Sequence, residues 1–395
     1  MEQHEGYGPA RELPEDVVAE VLGRLQAPRS LAVARCVCKS WRAVVDSRRL
    51  LRADLLPLSL AGVLVEFHFN MLDLPTATDL FFTRSSPAAA TTTAAVSGDL
   101  TYAPGPGFHD VVGHCNGLLL LDGADCVVAN PATRQWARLP KQPPPRCVDV
   151  HDVDSYERWP DYYESPYLAF DPAASPHYEV VLVPAVIGSL EDTAPEPEAE
   201  WPPALHETHV FSSATGRWEE RSFVREGDRA GTMAYMRQDS DFFHDMHNAV
   251  YWRGALYVHG QMNFFYKMSL ANGTYRVIQP PAGVVTPDAM IHQQLYLGKS
   301  KHGVSCAAVD GGFRLRVWTL DESAPDPAAA SHDHHVDEWV LKHQIDLLRH
   351  MLPSPVQDDD DEFLTFLGFH PFQDIVFFNS SLRRGLAYDF NSSKV

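Results

Sequence analysis

The sequence predicts an α+β chain of several domains: a small module of three helices over residues 11–54, then an all-β propeller of roughly six or seven blades over 55–395, behind a disordered tail at 1–10. Three observations carry this. Apolar residues recur at helical spacing only in the first fifty positions. Beyond about residue 60 the chain breaks into short apolar runs bounded by Gly, Pro, Asn and Asp. Aromatic anchors then return at intervals near those of propeller blades.

Charge divides the chain at the same place. Net charge is −20, with 32 Lys+Arg against 52 Asp+Glu. Residues 11–54 nevertheless carry a net positive charge, so the acidity lies in the body. A body this acidic repels phosphate backbones, so no nucleic-acid partner is expected. No run of about 18 apolar residues occurs and the start lacks a charged-then-apolar leader, so no membrane partner is expected and the predicted location is cytoplasmic or nuclear. The six cysteines (36, 38, 115, 126, 147 and 306) form no CxxC or regular framework, which fits a reducing compartment with each a small buried hydrophobe. The glycosylation patterns at Asn272, Asn379 and Asn391 then go unmodified.

In the module RELPEDVVAEVLGRLQAPRSLAVARCVCKSWRAVVDSRRLLR, Pro14 suits the opening of a helix, and Glu15 and Asp16 complement its dipole. Val17, Val21 and Leu25, with Val18 and Leu22, form one wide apolar stripe that ends before Pro28. Ser30 is the expected N-cap of a second helix carrying Leu31, Ala34 and Val37, and a third carries Trp41, Val44 and Val45. Some forty residues bury little surface alone, so a metal, disulfides or a partner is needed. Cys36 and Cys38 have no histidine closer than His4 and His68, both outside the unit, so no metal is expected. Lys39 and Arg42 read as a solvated edge. A partner remains, with the alternative that the stripe caps the chain's own second domain.

LPEDVVAEVLGRL followed by VARCVCKSW resembles the F-box, whose pattern is a Leu-Pro opening, an amphipathic first helix and a Val-Cys-Lys-x-Trp-Arg close. The resemblance implies docking onto a Skp-type adaptor that bridges to a cullin. It places Leu13, Pro14, Val21, Leu22, Leu25, Val37, Lys39 and Trp41 at or just under the adaptor surface, with Trp41 an apolar anchor and Cys38 a small packing residue.

In the body, HCNGLLLL, CVVANP, EVVLV, HVFSS, AVYWRGALYVHG, FYKMSL, QLYLG, LRVWTL and IVFFN are strand-length, and only WVLKHQIDLLRHML hints at a helical turn. ANPATRQWARLP and FSSATGRWEERSF share Ala-Thr-x-x-Trp, and Trp136, Tyr178, Trp218, Tyr275 and Trp339 are expected to anchor successive blades. A twisted four-stranded sheet exposes two apolar faces, so neighbours must stack around a ring. LAGVLVEFHF is expected to close it by pairing with LAYDF. GHCNGLLLL…VVANPATRQWARLP, YLAFDP…YEVVLV, VFSSATGRWE, NAVYWRGALYV, LRVWTLDE and FLGFHPFQDIVFFN resemble, in order, the plant F-box-associated domain, a kelch-like propeller.

Residues 84–98, 188–207, 321–338 and 353–362 read as surface loops. Trp201, inside the second, is a candidate contact for a basic substrate, though a solvated insertion is the simpler reading. His332, Asp333, His334 and His335 lie in an Ala-rich loop that preorganises no metal, and Asp358–Glu362 lacks the alternation and glycine of a calcium loop. No GxSxG, HExxH, Walker or Cys-His-Asn context occurs, and His109, His114 and Cys115 fall in a strand-turn signature where packing is expected. No cofactor is implied. The resemblance therefore implies a non-catalytic substrate receptor of an SCF-type ubiquitin ligase with an unknown protein substrate. Two alternatives stand beside it: a small-molecule sensor or enzyme using the propeller channel, and an adaptor-bound scaffold without ligase activity.

Overall fold

The computed structural model describes residues 14–25, 28–48, 50, 60, 62–69, 76–82, 99–104, 110–122, 126–144, 162–186, 198–238, 248–282, 284, 295–310, 313–322, 338–347, 364–381 and 384–394. The chain divides into a helical unit over residues 1–59 and a β unit over 60–395, from which the short turn Pro172–Ala174 is excepted. The expected tail at 1–10 lies outside the described residues.

The helical unit contains α1 (Glu15–Gly23), α2 (Pro28–Val37) and α3 (Lys39–Ser47). Pro14 occupies the N-cap of α1, where its carbonyl accepts from Val17 and Val18 N–H at 3.0 and 3.1 Å. The second helix starts at Pro28, so Ser30 sits within its first turn and is not the cap. Proline's fixed φ and missing N–H suit the first helical position. Val18, Leu22, Leu31, Ala34, Val44 and Val45 form the core, and Ala19, Leu25, Trp41 and Leu50 pack partly against it.

The β unit is a succession of antiparallel sheets. A hairpin of β1 (Val63–Phe69) and β2 (Thr76–Phe82) precedes the four-stranded sheet β3 (Asp110–Cys115), β4 (Leu118–Asp122), β5 (Val127–Asn130) and β6 (Gln135–Arg138). The next comprises β7 (Tyr162–Ala169), β8 (Glu179–Val186), β10 (Leu205–Ser212) and β11 (Arg217–Arg225), with β9 (Glu200–Trp201) in the β8–β10 connection. After β12 (Gly231–Thr232) and α4 (Met233–Met236) come β13 (Ala249–Trp252), β14 (Ala255–His259), β15 (Phe265–Ser269) and β16 (Thr274–Ile278). A short parallel pairing of Val224 and Arg225 with Thr274 and Tyr275 joins these two meanders edge to edge. The last sheets are β17 (Leu295–Ser300), β18 (Gly303–Val309), β19 (Arg314–Asp321) and β20 (Glu338–Asp346), then β21 (Thr365–Phe369), β22 (Ile375–Ser381) and β23 (Arg384–Asp389).

Four apolar clusters of the β unit lie between consecutive sheets, as stacked blades require. Cys115, Leu120 and Val128 of the first meet Leu168, Val180 and Phe211 of the second. Val181, Val210 and Phe223 meet Leu256, Tyr266 and Met268 of the third. Val250, Tyr257 and Phe265 meet Leu297, Cys306 and Trp318 of the fourth, whose Ala307, Leu315 and Val317 meet Phe366, Val376 and Phe378 of the fifth. Five meanders, one hairpin and the two-stranded pair of β9 with β12 are present among the described residues.

Several expectations are corrected. WVLKHQID, the first part of the segment expected to make a helical turn, is strand β20, because ladder pairing with β19 satisfies its backbone from Glu338 to Asp346; Leu347 after it is helical, and residues 348–352 lie outside the described residues. Tyr178 does not begin a blade: it lies in the turn joining β7 to β8, two strands of the sheet that already contains Trp218. LAGVLVEFHF pairs with β2, and LAYDF with β22, so these two segments do not form the expected closing pair; Leu64 instead packs by the first meander's Leu121, Val127 and Ala129. The loop expected to reach residue 207 gives way to structure by residue 200, and Trp201 is 4% exposed, packed among Val210, Phe223, Met233 and Met236. An indole this large gains more from burial than a surface contact returns, so Trp201 is a core residue and not a substrate contact.

Candidate functional site

The helical unit turns part of its apolar surface outward. On α1, Val18 and Leu22 point into the core, while Val17 and Val21, one turn apart on the adjoining face, are 42% and 52% exposed. On α2, Leu31 and Ala34 are buried, while Val33 and Val37 are 61% and 60% exposed. The stripe read from the sequence is thus wider than its own core can cover. Its flank is a pair of valine ridges in water, the composition expected where a partner docks.

Polar ties hold the three helices beneath these ridges. Arg35 Nε and Nη2 grip both oxygens of Asp46 at 2.7 and 3.0 Å, joining α2 to α3, and Arg48 Nη2 meets Asp16 Oδ1 at 2.6 Å, joining α3 to α1. The Arg35–Asp46 hydrogen bond and charge raise the guanidinium's pKa against the opposing effect of burial. Leu50 N–H reaches Val45 O at 3.0 Å and folds the chain back after α3.

The residues singled out in the sequence separate accordingly. Pro14, Val21, Val37 and Lys39 are exposed; Leu25 and Trp41 are partly buried against the core; Leu22, 1% exposed, is part of it; Leu13 lies outside the described residues. Val17 and Val33 were not in that set, although their i,i+4 spacing from Val21 and Val37 was a legible signal.

Cysteine roles are corrected too. Cys38 caps α3: its Sγ accepts from Trp41 N–H at 3.4 Å, and the residue is exposed, not packed. Cys36 is exposed as well, because it falls on the outer face of α2. Cys115 and Cys306 are buried free thiols and Cys126 a partly buried one; Cys147 lies outside the described residues. Burial pushes the Cys115 thiol up to about 11, which removes it from nucleophilic chemistry near neutrality, and its Sγ lies 3.3 Å from the Phe170 carbonyl. Among the described residues no three His, Cys, Asp or Glu side chains converge as a metal site. His109, the His332–His335 run and the Asp358–Glu362 run lie outside them.

In the β unit, the repeated tryptophans act as stitches between sheets. Trp218 Nε1 donates to Pro140 O at 3.0 Å, just past β6, and Trp339 Nε1 donates to Gln279 O at 2.9 Å, just past β16. Tyr275 OH likewise donates to Pro203 O.

Residues 10–55 match the F-box-like family, so the helical unit is an F-box-like domain. No curated protein matches the chain. Among solved structures it is similar to YCF48 bound to D1 peptide, at 10% identity and TM-score 0.32, covering 71% of this chain and 64% of that one. It is similar also to the Cps50 (Swd1) β-propeller domain of Myceliophteria thermophila, at 10% identity and TM-score 0.29, covering 71% and 69%. BBS1N in complex with ARL6DN gives 11% identity and TM-score 0.29, covering 81% and 70%. The blade-like description of the β unit rests on its own sheet order and not on these distant likenesses. No helix among the described residues is long and apolar enough to cross a membrane.

Proposed function

We propose that the chain is the substrate-recognition subunit of an SCF-type ubiquitin ligase: α1–α3 bind a Skp-type adaptor and, through it, cullin, while the β unit holds a target protein. The observation that carries this reading is the pair of exposed valine ridges, Val17/Val21 and Val33/Val37, on a domain matching the F-box-like family. Covering such surface returns about 25 cal/mol per Å². The subunit itself performs no bond chemistry. Its contribution is proximity: holding a lysine-bearing target beside the conjugating enzyme makes the encounter intramolecular and raises avidity by about 10²–10⁴.

The test is co-purification of a Skp-type adaptor with the full chain and with Val21→Asp/Val37→Asp. Capture by the wild type and loss in a variant that keeps its thermal midpoint supports the reading; equal capture by both removes it. Ubiquitination of a co-purified partner then separates a receptor from an inert scaffold.

A further inference from the structure

Three arginines of the middle meanders are matched to glutamates. Arg221 Nη2 meets Glu179 Oε1 at 2.7 Å, Arg225 Nη2 meets Glu200 Oε2 at 2.6 Å, and Arg276 Nε meets Glu226 Oε2 at 2.9 Å. Arg237 differs: its Nε and Nη2 are buried and carry no hydrogen bond. These are the atoms with which Arg35 grips both oxygens of Asp46, the edge of a guanidinium that takes an oxyanion in two parallel hydrogen bonds. A buried cationic donor left without an acceptor is costly, so the group calls for an anion.

The chain that presents this edge is fixed. Arg237 is the C-cap of α4, and its N–H returns to Met233 O at 3.1 Å. The preceding carbonyl, Met236 O, accepts from Gln261 Nε2 at 3.3 Å. Gln261, 1% exposed, also donates to Val186 O and accepts from Val186 N–H, each at 2.7 Å. One buried amide thus ties the end of α4 to the last residue of β8 and to the turn after β14.

Gln261 also lines a cleft between the second and third meanders, with Ser165, Trp201, Gly260, Phe264 and Tyr266. A second group without a partner belongs to this cleft: the hydroxyl of Tyr266, a residue 2% exposed. Burial holds its pKa well above the ordinary phenol range, so it stays protonated and able to donate. Arg237 is half-buried and Gln238 after it is exposed, so this end of α4 lies at the surface of the β unit.

We propose that the end of α4, beside the Tyr266 cleft, is an oxyanion-binding site in which Arg237 Nε and Nη2 hold two oxygens of a carboxylate or phosphate group. Gln261 is the positioning residue, since it anchors the carbonyl next to Arg237. A free small anion and an acidic side chain of a bound protein share this chemistry. The site goes beyond the receptor reading and does not depend on it.

The experiment is thermal unfolding of the full chain with acetate, inorganic phosphate or a tetraglutamate peptide replacing chloride at constant ionic strength. Each should raise the midpoint by about 2–4 °C at tenfold excess over its Kd. Arg237→Met should abolish the rise, Arg237→Lys should cut it by more than about half because a point charge replaces the fork, and Arg276→Met should leave it unchanged. In chloride alone Arg237→Met should melt no lower than the parent chain, because the charge it removes has no partner. Action of the peptide at about a hundredfold lower concentration than acetate assigns the site to an acidic segment of a protein, and equal potency per carboxylate assigns it to a free anion; either supports the proposal. No rise in the parent chain, or the same rise in Arg237→Met, overturns it. So does an Arg237→Met variant that melts lower by the same amount in every buffer, which would mean that the chain itself supplies the counter-charge.

Discussion

Lys299 and Asn116, 183 residues apart, meet in the β unit: Lys299 Nζ donates to Asn116 Oδ1 at 3.1 Å. Asn116 Nδ2 in turn donates to Phe170 O at 2.6 Å, and the Lys299 ammonium lies 5.2 Å from the centre of the Trp252 ring. Strand β17, the β3–β4 turn, the end of β7 and strand β13 are thereby drawn together by one cation and one amide. Asn116 and Gly117 have φ of 44° and 89°, which a two-residue hairpin turn demands and asparagine tolerates.

Asn116→Ala should therefore lose both hydrogen bonds and strain the turn, lowering stability by about 2 kcal/mol. Lys299→Met should cost about 1 kcal/mol, since the indole contact is partly kept. Denaturant midpoints at constant m-value check both.

The stitching tryptophans predict a smaller, selective loss. Trp218→Phe and Trp339→Phe keep most of the packing but remove the donors to Pro140 O and Gln279 O, at a cost of about 1 kcal/mol each. Trp136→Phe should leave thermal unfolding unchanged, because its indole is exposed. Calorimetry on the three variants would disprove this assignment if all shifted alike.

Acid should loosen the β unit. Burial pushes His206 and His259 down to about 4, for His259 against the opposing hydrogen bond with Asn263. Their unfolded value is near 6.5, so the unfolded chain binds more protons between pH 6.5 and 4, and stability falls as pH drops through that window. The loss reaches about 3 kcal/mol per histidine at its acid end. His206→Phe should flatten the profile of thermal midpoint against pH.

Gly298 tests the packing of the last two sheets. A Cβ there would stand 2.6 Å from the Phe369 ring, with backbone otherwise ordinary for any residue. Gly298→Ala should cost about 1–3 kcal/mol by overpacking, and Gly298→Ala/Phe369→Leu should recover part of it.

Within the F-box-like unit the two faces of α1 should respond oppositely. Leu22→Ala, in the core, should destabilise by about 2–5 kcal/mol. Val21→Asp should leave the fold intact and abolish adaptor capture. Circular dichroism melts beside pull-downs distinguish the two effects.

Much of this was legible beforehand because it is local. Helical periodicity marked α1–α3, and short apolar runs bounded by turn residues marked β4, β5, β8, β13 and β14. The errors fell where local signals compete. WVLKHQID carries a helix-like spacing, but an edge of β19 waiting to be paired decided for strand. Tyr178 sits at a blade-like interval by coincidence, since intervals cannot tell a turn inside one sheet from the start of the next. Trp201 is surrounded in sequence by acids, and it is buried by the approach of Val210, Phe223, Met233 and Met236.

What the sequence alone determined is the division of labour: a three-helix module with more apolar stripe than three short helices can cover, followed by a β body of repeated strand units. Periodicity and turn chemistry are properties of neighbours in the chain, so they can be read without coordinates. The tertiary structure decided which valines of the stripe face water, which tryptophans are spent between sheets, and that Trp136 is left outward. Those outcomes depend on which distant backbone carbonyl or apolar face arrives to cover each group, and that is set by packing across tens to hundreds of residues.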